Sequence, residues 1–213
     1  MLVLGIETSA ALCSISWVMH GQILLEYNIE QPNIHTQILA DLVAEGFNRT
    51  GKTPANIDLI CVASGPGSFT GLRIGMAYAK GMAYALDKPI VAVTNFEVLA
   101  QNSVLDKFPV YTVIDARRDN YFLGIFKSDT YHADITVFCD QTELIKYISH
   151  KGTVVTTIKD FKKRIKTNTD IILTRYSAAN IASSGQIKYE KGIASEDINQ
   201  IEPLYLRKFA GAT

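Results

Sequence analysis

The sequence has no excess of either charge: Lys+Arg and Asp+Glu both number 21 in 213 residues. No global field gathers nucleic acid or a membrane surface, and any polyanion has to be held locally. Cysteine is scarce. Cys13, Cys61 and Cys139 are odd in number and far apart, which excludes a disulfide framework and a C-x-x-C metal or redox pair and suits buried thiols in a reducing compartment. Long apolar runs are missing too. No window approaches the ~18 apolar residues of a spanning helix, and the opening MLVLGIETS has no basic n-region, so the expected location is the cytoplasm with no membrane partner. His20, His35, His132 and His150 have no His at i+3 or i+4, and no Cys or carboxylate cluster has metal-ligand spacing, so no metal is expected.

What is present describes a folded globular chain, with 47% hydrophobic and 20% charged residues. The length admits one or two domains. Residues 1–105 carry 5 basic and 8 acidic side chains and residues 106–213 carry 16 and 13, giving halves of −3 and +3.

Residues 2–6 form an apolar strand, and Cys13, Ile15, Trp17 and Met19 recur at the period of two of a half-buried strand. His20-Gly21 is a tight-turn signal leading to a third strand through Ile29. Ile34, Ile38, Leu39, Leu42 and Val43 repeat at helical spacing, with Asn33 as N-cap and Gly51 past the far end. A buried strand at 59–63, a Gly-rich loop at 64–71, a helix to about Leu86 and a strand at 90–93 follow, with Thr94 and Glu97 spaced as a capping box for a further helix. The second half repeats this order: strands at 110–115, 121–127 and 131–138, a helix opened by Asp140 and Glu143, a strand at 153–156, a basic helix at 159–166, a strand at 170–173 and a helix from about Arg175.

The pattern βββαβαβα therefore occurs twice, offset by about 108 residues. It predicts an α/β chain of two similar domains with mixed sheets, 1–105 and 106–213, the boundary lying between Gln101 and Pro109. Such a duplication is the architecture of the actin-like superfamily of sugar kinases and Hsp70 ATPases, which suggests nucleotide in the cleft by analogy alone.

The densest motif is Gly65-Pro66-Gly67-Ser68-Phe69-Thr70-Gly71-Leu72-Arg73-Ile74-Gly75. A Gly-rich loop between a strand and a helix N-terminus either cradles an anion or serves a sharp turn. It lacks the Walker spacing, and Ser68 lacks a nucleophile-elbow setting. Glu7-Thr8-Ser9 stands in the first hairpin turn, where the superfamily usually carries an Asp for a metal-water shell. The extra methylene of Glu7 disturbs an octahedral Mg²⁺ shell. The equivalent second turn, Asp115-Ala116-Arg117-Arg118-Asp119, puts two bulky side chains where close approach to phosphate favours glycine. Glu7, Thr8, Gly65, Gly67 and Arg117 are thus candidates only for a vestigial nucleotide or anion site with weak binding, and no cofactor is required. The run from Lys159 to Lys166 is either a solvated face or a contact for RNA phosphates.

These motifs resemble the TsaB (YeaZ) family. The likeness runs from Leu4-Gly5-Ile6-Glu7-Thr8-Ser9 through His35 and the GPGSFTGLRIG stretch with Ala79-Lys80-Gly81. It continues through Val93, Glu97, Leu99, Ala100 and Asp115-Ala116-Arg117-Arg118 to Pro203-Leu204-Tyr205-Leu206-Arg207. It implies a non-catalytic paralogue of TsaD, the subunit that transfers the threonylcarbamoyl group to adenosine 37 of ANN-decoding tRNAs. It also implies a heterodimer with TsaD, a larger assembly with the ATPase TsaE, a homodimer when alone, and tRNA reached through the complex. TsaD carries H-x-x-x-H on the matching helix, whereas this chain has His35 and then Leu39. Glu7 and Asn120 depart from the acids more usual in the two turns. The alternative function is an ATPase or small-molecule kinase of the actin-like class.

Partner contact is expected on the helices 71–86 and 34–48. Gly71, Gly75, Ala79 and Ala83 line one bare face, Ala77, Gly81 and Ala85 a second, and Ile38, Leu42, Leu72 and Met76 would flank the first as apolar anchors. The alternative is that both faces pack inside the first domain.

Overall fold

The computed structural model describes residues 1–31, 34–101, 108–128, 130–148, 151–193 and 197–206. The expected N-cap Asn33, His150, Arg207 and most of the expected boundary segment lie outside them. The first repeat comprises β1 (Leu2–Glu7), β2 (Leu12–Met19), β3 (Gln22–Glu30), α1 (His35–Thr50), β4 (Leu59–Gly65), α2 (Phe69–Leu86), β5 (Ile90–Thr94) and α3 (Asn95–Gln101). The second comprises β6 (Val110–Asp115), β7 (Asn120–Phe126), β8 (Ile135–Asp140), α4 (Gln141–Tyr147), β9 (Thr153–Thr156), α5 (Phe161–Arg164), β10 (Asp170–Leu173) and α6 (Ala178–Glu190).

Local chemistry explains most of these boundaries. His20 and Gly21 both hold positive φ, 53° and 76°, as a two-residue hairpin of the right twist requires. Gly51 closes α1 in the left-handed region at φ 63° and donates its N–H to Asn48 and Phe47. Asp140 and Glu143 form the reciprocal box that opens α4. The basic helix is shorter than expected. Only Phe161–Arg164 is helical, because Ile165 is extended and both Phe161 and Ile165 are sunk in a core.

The two sheets have the same design. Their strand orders are β3-β2-β1-β4-β5 and β10-β9-β6-β7-β8. In each, the first strand pairs antiparallel with the second and parallel with the fourth. The duplicated actin-like fold is thereby present strand for strand.

The compact units are not the two halves of the sequence. One is Met1–Thr94 with Tyr176–Leu204, and the other Asn95–Arg175 with Tyr205–Thr213. The division expected at residue 105 is displaced because each repeat gives its last helix away. α3 packs on β6, β7 and β9, and α6 on β1, β2, β4 and β5.

In the first unit, α6 covers the face of β2 that alternation assigned to solvent. Ser14 and Ser16 are fully buried there. The Ser14 hydroxyl accepts from the N–H of Ala178 at 2.9 Å and donates to Asn28 at 2.7 Å. Glu26 accepts from Ser177 Oγ and the Ala179 N–H, placing a carboxylate at the positive end of α6. Gly5 lets the helix come close, since a Cβ there would strike the carbonyl of Ala178. The opposite side of this sheet holds a core in which Trp17 stands edge-on to Phe47 at 5.7 Å. The second unit buries Tyr121, Leu144, Val154 and Phe161 in its own core, and α3 seats Phe96 over Gly124. Among the described residues no helix is long and apolar enough to cross a membrane.

The seat of α6 gives a direct test. Gly5→Ala should destabilise the protein by about 1–3 kcal/mol, because the new methyl meets backbone that has no room to move. A chemical-denaturation curve reads this, and an unchanged midpoint would show that α6 does not bear on β1.

Candidate functional site

The structure brings Glu7, Thr8, Gly65 and Gly67 together at the carboxyl ends of β1 and β4, against the start of α2. This is where an open α/β sheet places ligands. Here the two turns fill one another. The Ser68 N–H donates to the Ser9 carbonyl at 2.6 Å, and Thr8 Oγ1 donates to the Gly71 carbonyl at 2.8 Å. Ser68, which sequence reasoning set aside as a nucleophile, caps α2 by accepting from the Gly71 N–H.

The glycines of the loop serve this contact. A Cβ on Gly67 would collide with the Ser9 carbonyl, on Gly71 with the Thr8 carbonyl, and on Gly75 with the Thr8 hydroxyl. Gly65 holds φ 98°, a conformation suited to glycine. Close backbone approach is therefore used, but by the protein's own first turn. The Ser68 N–H, a donor that a phosphate would need, is spent on the Ser9 carbonyl, and Gly67 and Gly71 lie against the first turn.

Glu7 is fully buried beside them. Its Oε1 accepts from the Ser9 N–H and hydroxyl, while Oε2 has no hydrogen-bond partner among the described residues. Burial pushes the carboxyl up from 4.5 to about 7, against the opposing pull of the Ser9 hydrogen bonds. Sequence reasoning named Glu7 but missed Ser9 as its partner; the signal available was only the adjacency in Glu7-Thr8-Ser9.

Arg117 belongs to the second unit, on the hairpin between β6 and β7. Arg117, Arg118 and Asp119 are successively left-handed, with φ of 66°, 54° and 55°. The turn is held by Asp115, which accepts from the Arg117 N–H at 2.6 Å, and by Asn120, which donates to the Arg118 carbonyl at 2.8 Å. The Arg117 side chain is exposed. His35 is buried, with Nε2 3.2 Å from the Leu12 carbonyl, and Leu39 lies in the core. That makes His35 a brace between α1 and β2. His132 binds the buried carboxylate of Glu97 through Nδ1, a pairing no local spacing announces. Among the described residues no three His, Cys, Asp or Glu side chains converge as a metal site, and all three cysteines are free and buried.

The expected partner residues need correcting. Gly71, Leu72, Gly75, Met76, Ala79 and Ala83 are buried in their own unit, as is Leu42, and Ile38 is half-buried against the same core. That bare face of α2 is the one the sheet requires. The second bare face, Ala77, Gly81 and Ala85, is the exposed one. A Cβ on Gly81 meets nothing within 4 Å, and Tyr84 beside it is 83% exposed.

The buried carboxyl makes stability depend on pH. Because the folded chain holds the Glu7 proton to higher pH than the unfolded chain, stability falls as pH rises from 4.5 to about 7 and is level above. The ionised form costs the folded state about 3 kcal/mol. Glu7→Gln keeps the acceptor for Ser9 and removes the charge. It should therefore melt higher than the parent at pH 8 and alongside it near pH 4.5; parallel melting curves across that range would contradict the burial cost.

Residues 30–142, more than half of the chain, match the family model for TsaD, tRNA N6-adenosine threonylcarbamoyltransferase. The chain is 24% identical to the tRNA threonylcarbamoyladenosine biosynthesis protein TsaB of Haemophilus influenzae, over 97% of this chain and 94% of that one. It is 33% identical to the TsaB of Bacillus subtilis over 60% of this chain, a stretch spanning 56% of that relative. Among solved structures, YeaZ from Pseudomonas aeruginosa superposes with a TM-score of 0.79 at 24% identity, covering 96% of this chain and 99% of that one. The chain belongs to the TsaD family, in which the relatives it matches over most of its length carry the name TsaB.

Proposed function

We propose that this chain is a partner subunit of the machinery that makes threonylcarbamoyladenosine in tRNA, with no catalytic centre of its own. The observation that carries the reading is the likeness to TsaB along 97% of the chain, with the self-filled phosphate turn beside it. A phosphate-handling enzyme of this fold needs backbone open to its ligand. Here the Ser68 amide is taken by Ser9 and the loop glycines are used for contact with Thr8 and Ser9, which speaks against the ATPase or kinase reading and against a required nucleotide. Leu39 in the core and His35 on a carbonyl speak against a transferase metal centre on α1.

Activity then belongs to the complex. The chain joins TsaD, with TsaE in the larger assembly, pairs with itself when alone, works in the cytoplasm and meets tRNA through the complex. The face of α2 carrying Ala77, Gly81, Ala85 and Tyr84 suits the partner role. Small residues let another helix approach closely, and an exposed Tyr is an anchor of the kind interfaces favour.

Reconstitution of the modification from purified subunits should fail without this chain and recover on adding it. Hydrolysis of ATP by the chain alone, abolished by Glu7→Gln, would favour the kinase reading instead. For the surface, Gly81→Leu should weaken self-association and TsaD binding at least tenfold in light scattering. Its melting temperature should be unchanged or slightly higher, since Leu is about 0.5–1 kcal/mol better than Gly in an exposed helix. Gly75→Leu should instead lower the melting temperature, because its side chain meets Thr8. Intact association of a folded Gly81→Leu protein would remove α2 from the interface.

A further inference from the structure

The second unit concentrates positive charge in one stretch. Residues 141–168 contain seven Lys or Arg and two Asp or Glu, a net +5 in a chain whose total is zero. The fold turns much of this outward. Phe161 and Ile165 anchor the α5 segment in the core, so Lys162, Lys163 and Lys166 are left exposed. Arg164 is neutralised, with Nε 2.9 Å from Asp160 and Nη1 3.3 Å from Asp115. Among the described residues Lys162 and Lys166 form no ion pair, and they line a cavity of about 580 Å³ together with Ile145, Ile165, Thr167 and Asn168.

A second recess lies on α4. About 370 Å³ in volume, it is walled by Tyr111, Ile125, Ile135 and Tyr147, with Lys127 and Lys146 among its lining. Three successive residues of α4 connect the two: Ile145 lines the first, Lys146 and Tyr147 the second. The ammonium groups of Lys162 and Lys166 beside the Asn168 amide suit phosphodiester oxygens, and an apolar recess with a half-exposed tyrosine suits a flat base. An acidic peptide would use the lysines but has no need of the recess.

We propose that the two cavities flanking α4 form an RNA-binding site, in which Lys162 and Lys166 hold backbone phosphate and the Tyr147 recess takes an unstacked base. That the RNA is tRNA rests on the proposed function; the binding itself does not. The site would give the chain a direct hold on the substrate RNA.

Fluorescence anisotropy with the full chain and a labelled unmodified tRNA transcript tests this. Lys162→Glu with Lys166→Glu should weaken binding at least tenfold and lower the slope of log affinity against log salt by about 2. Tyr147→Ala should weaken it about fivefold or more while leaving the salt slope unchanged. Lys52→Glu with Lys88→Glu makes the same change in net charge in the first unit and should cost less than threefold. Equal losses from the two lysine pairs, no loss from either, or polyglutamate binding as tightly as RNA with the same lysine dependence would each overturn the proposal. Far-UV circular dichroism and melting of each variant establish that the comparison is between folded proteins.

The modification assay separates this proposal from the function it leans on. With the lysine-reversed chain in the reconstituted complex, the KM for tRNA should rise while kcat is held. If the parent chain does not support modification at all, the proposed function fails, and the anisotropy result still decides whether the two cavities bind RNA.

Discussion

The seat of α2 on the first turn is the contact on which the rest of the first unit depends. Gly71 and Gly75 carry no side chain, so the helix lies against Thr8 itself, and Thr8 closes the contact with a hydrogen bond to the Gly71 carbonyl. Three consequences follow from this one approach. The loop before the helix is pinned to Ser9, so the Ser68 amide is spent on protein. Glu7 is sealed from water and its carboxyl is raised toward neutrality. And the sheet consumes one of the helix's two small-residue faces, so the one left exposed is Ala77-Gly81-Ala85. A glycine in a helix interior costs about 0.5–1 kcal/mol relative to alanine, so its use at Gly71 and Gly75 is explained by packing alone. Gly81 has no such neighbour in its own unit.

The exchange of terminal helices has a similar economy. α6 ends the second repeat yet covers the first sheet, and α3 ends the first repeat yet covers the second. Each sheet therefore needs chain from the other repeat to bury its face, which is why neither half of the sequence corresponds to a compact unit. The Ser14 and Ser16 hydroxyls show what this costs: Ser16 Oγ is buried without a hydrogen-bond partner among the described residues, and only Ser14 is provided for. Buried polar atoms need partners; Ser14 takes the first N–H of α6, one of the donors a helix start leaves unsatisfied. Lys188 near the other end of α6 donates to the Ala92 carbonyl at 3.0 Å.

Most of the fold was legible in the sequence, because it rests on signals confined to a few neighbouring residues. His20-Gly21, Gly51 and the Asp140–Glu143 box each fix a boundary through one turn of backbone. The repeated strand order followed from period and spacing. What could not be read is decided between distant segments. Alternation in β2 places Ser14 and Ser16 at solvent, and only the return of α6, 164 residues later in the case of Ala178, covers them. The stripe Gly71-Gly75-Ala79-Ala83 was visible, but sequence has no means to say which bare face a sheet will use. Glu97 reads as a helix-start residue from its spacing, and its partner His132 lies 35 residues away. The 159–166 run was recognised as charged, yet which of its members stay unpaired depends on Asp115, 49 residues before Arg164.

The division of the two proposed surfaces between the units follows from the same physics. A helix face of Ala and Gly loses little side-chain entropy when covered by a protein partner, whereas lysines at the centre of an interface would have to be desolvated. A surface that associates with protein is therefore best built from small residues and an aromatic, as on α2. A surface that meets a polyanion is best built from cations kept in water and spared from internal ion pairs, as Lys162 and Lys166 are. Combining the two on one face would weaken both, by burying charge in the first contact or by removing donors from the second. The duplicated fold offers a way out. With two sheets of the same topology, one repeat's α2 exposes the small-residue face of the proposed protein contact and the other's α5 the cations of the proposed RNA contact, and the chain as a whole remains neutral.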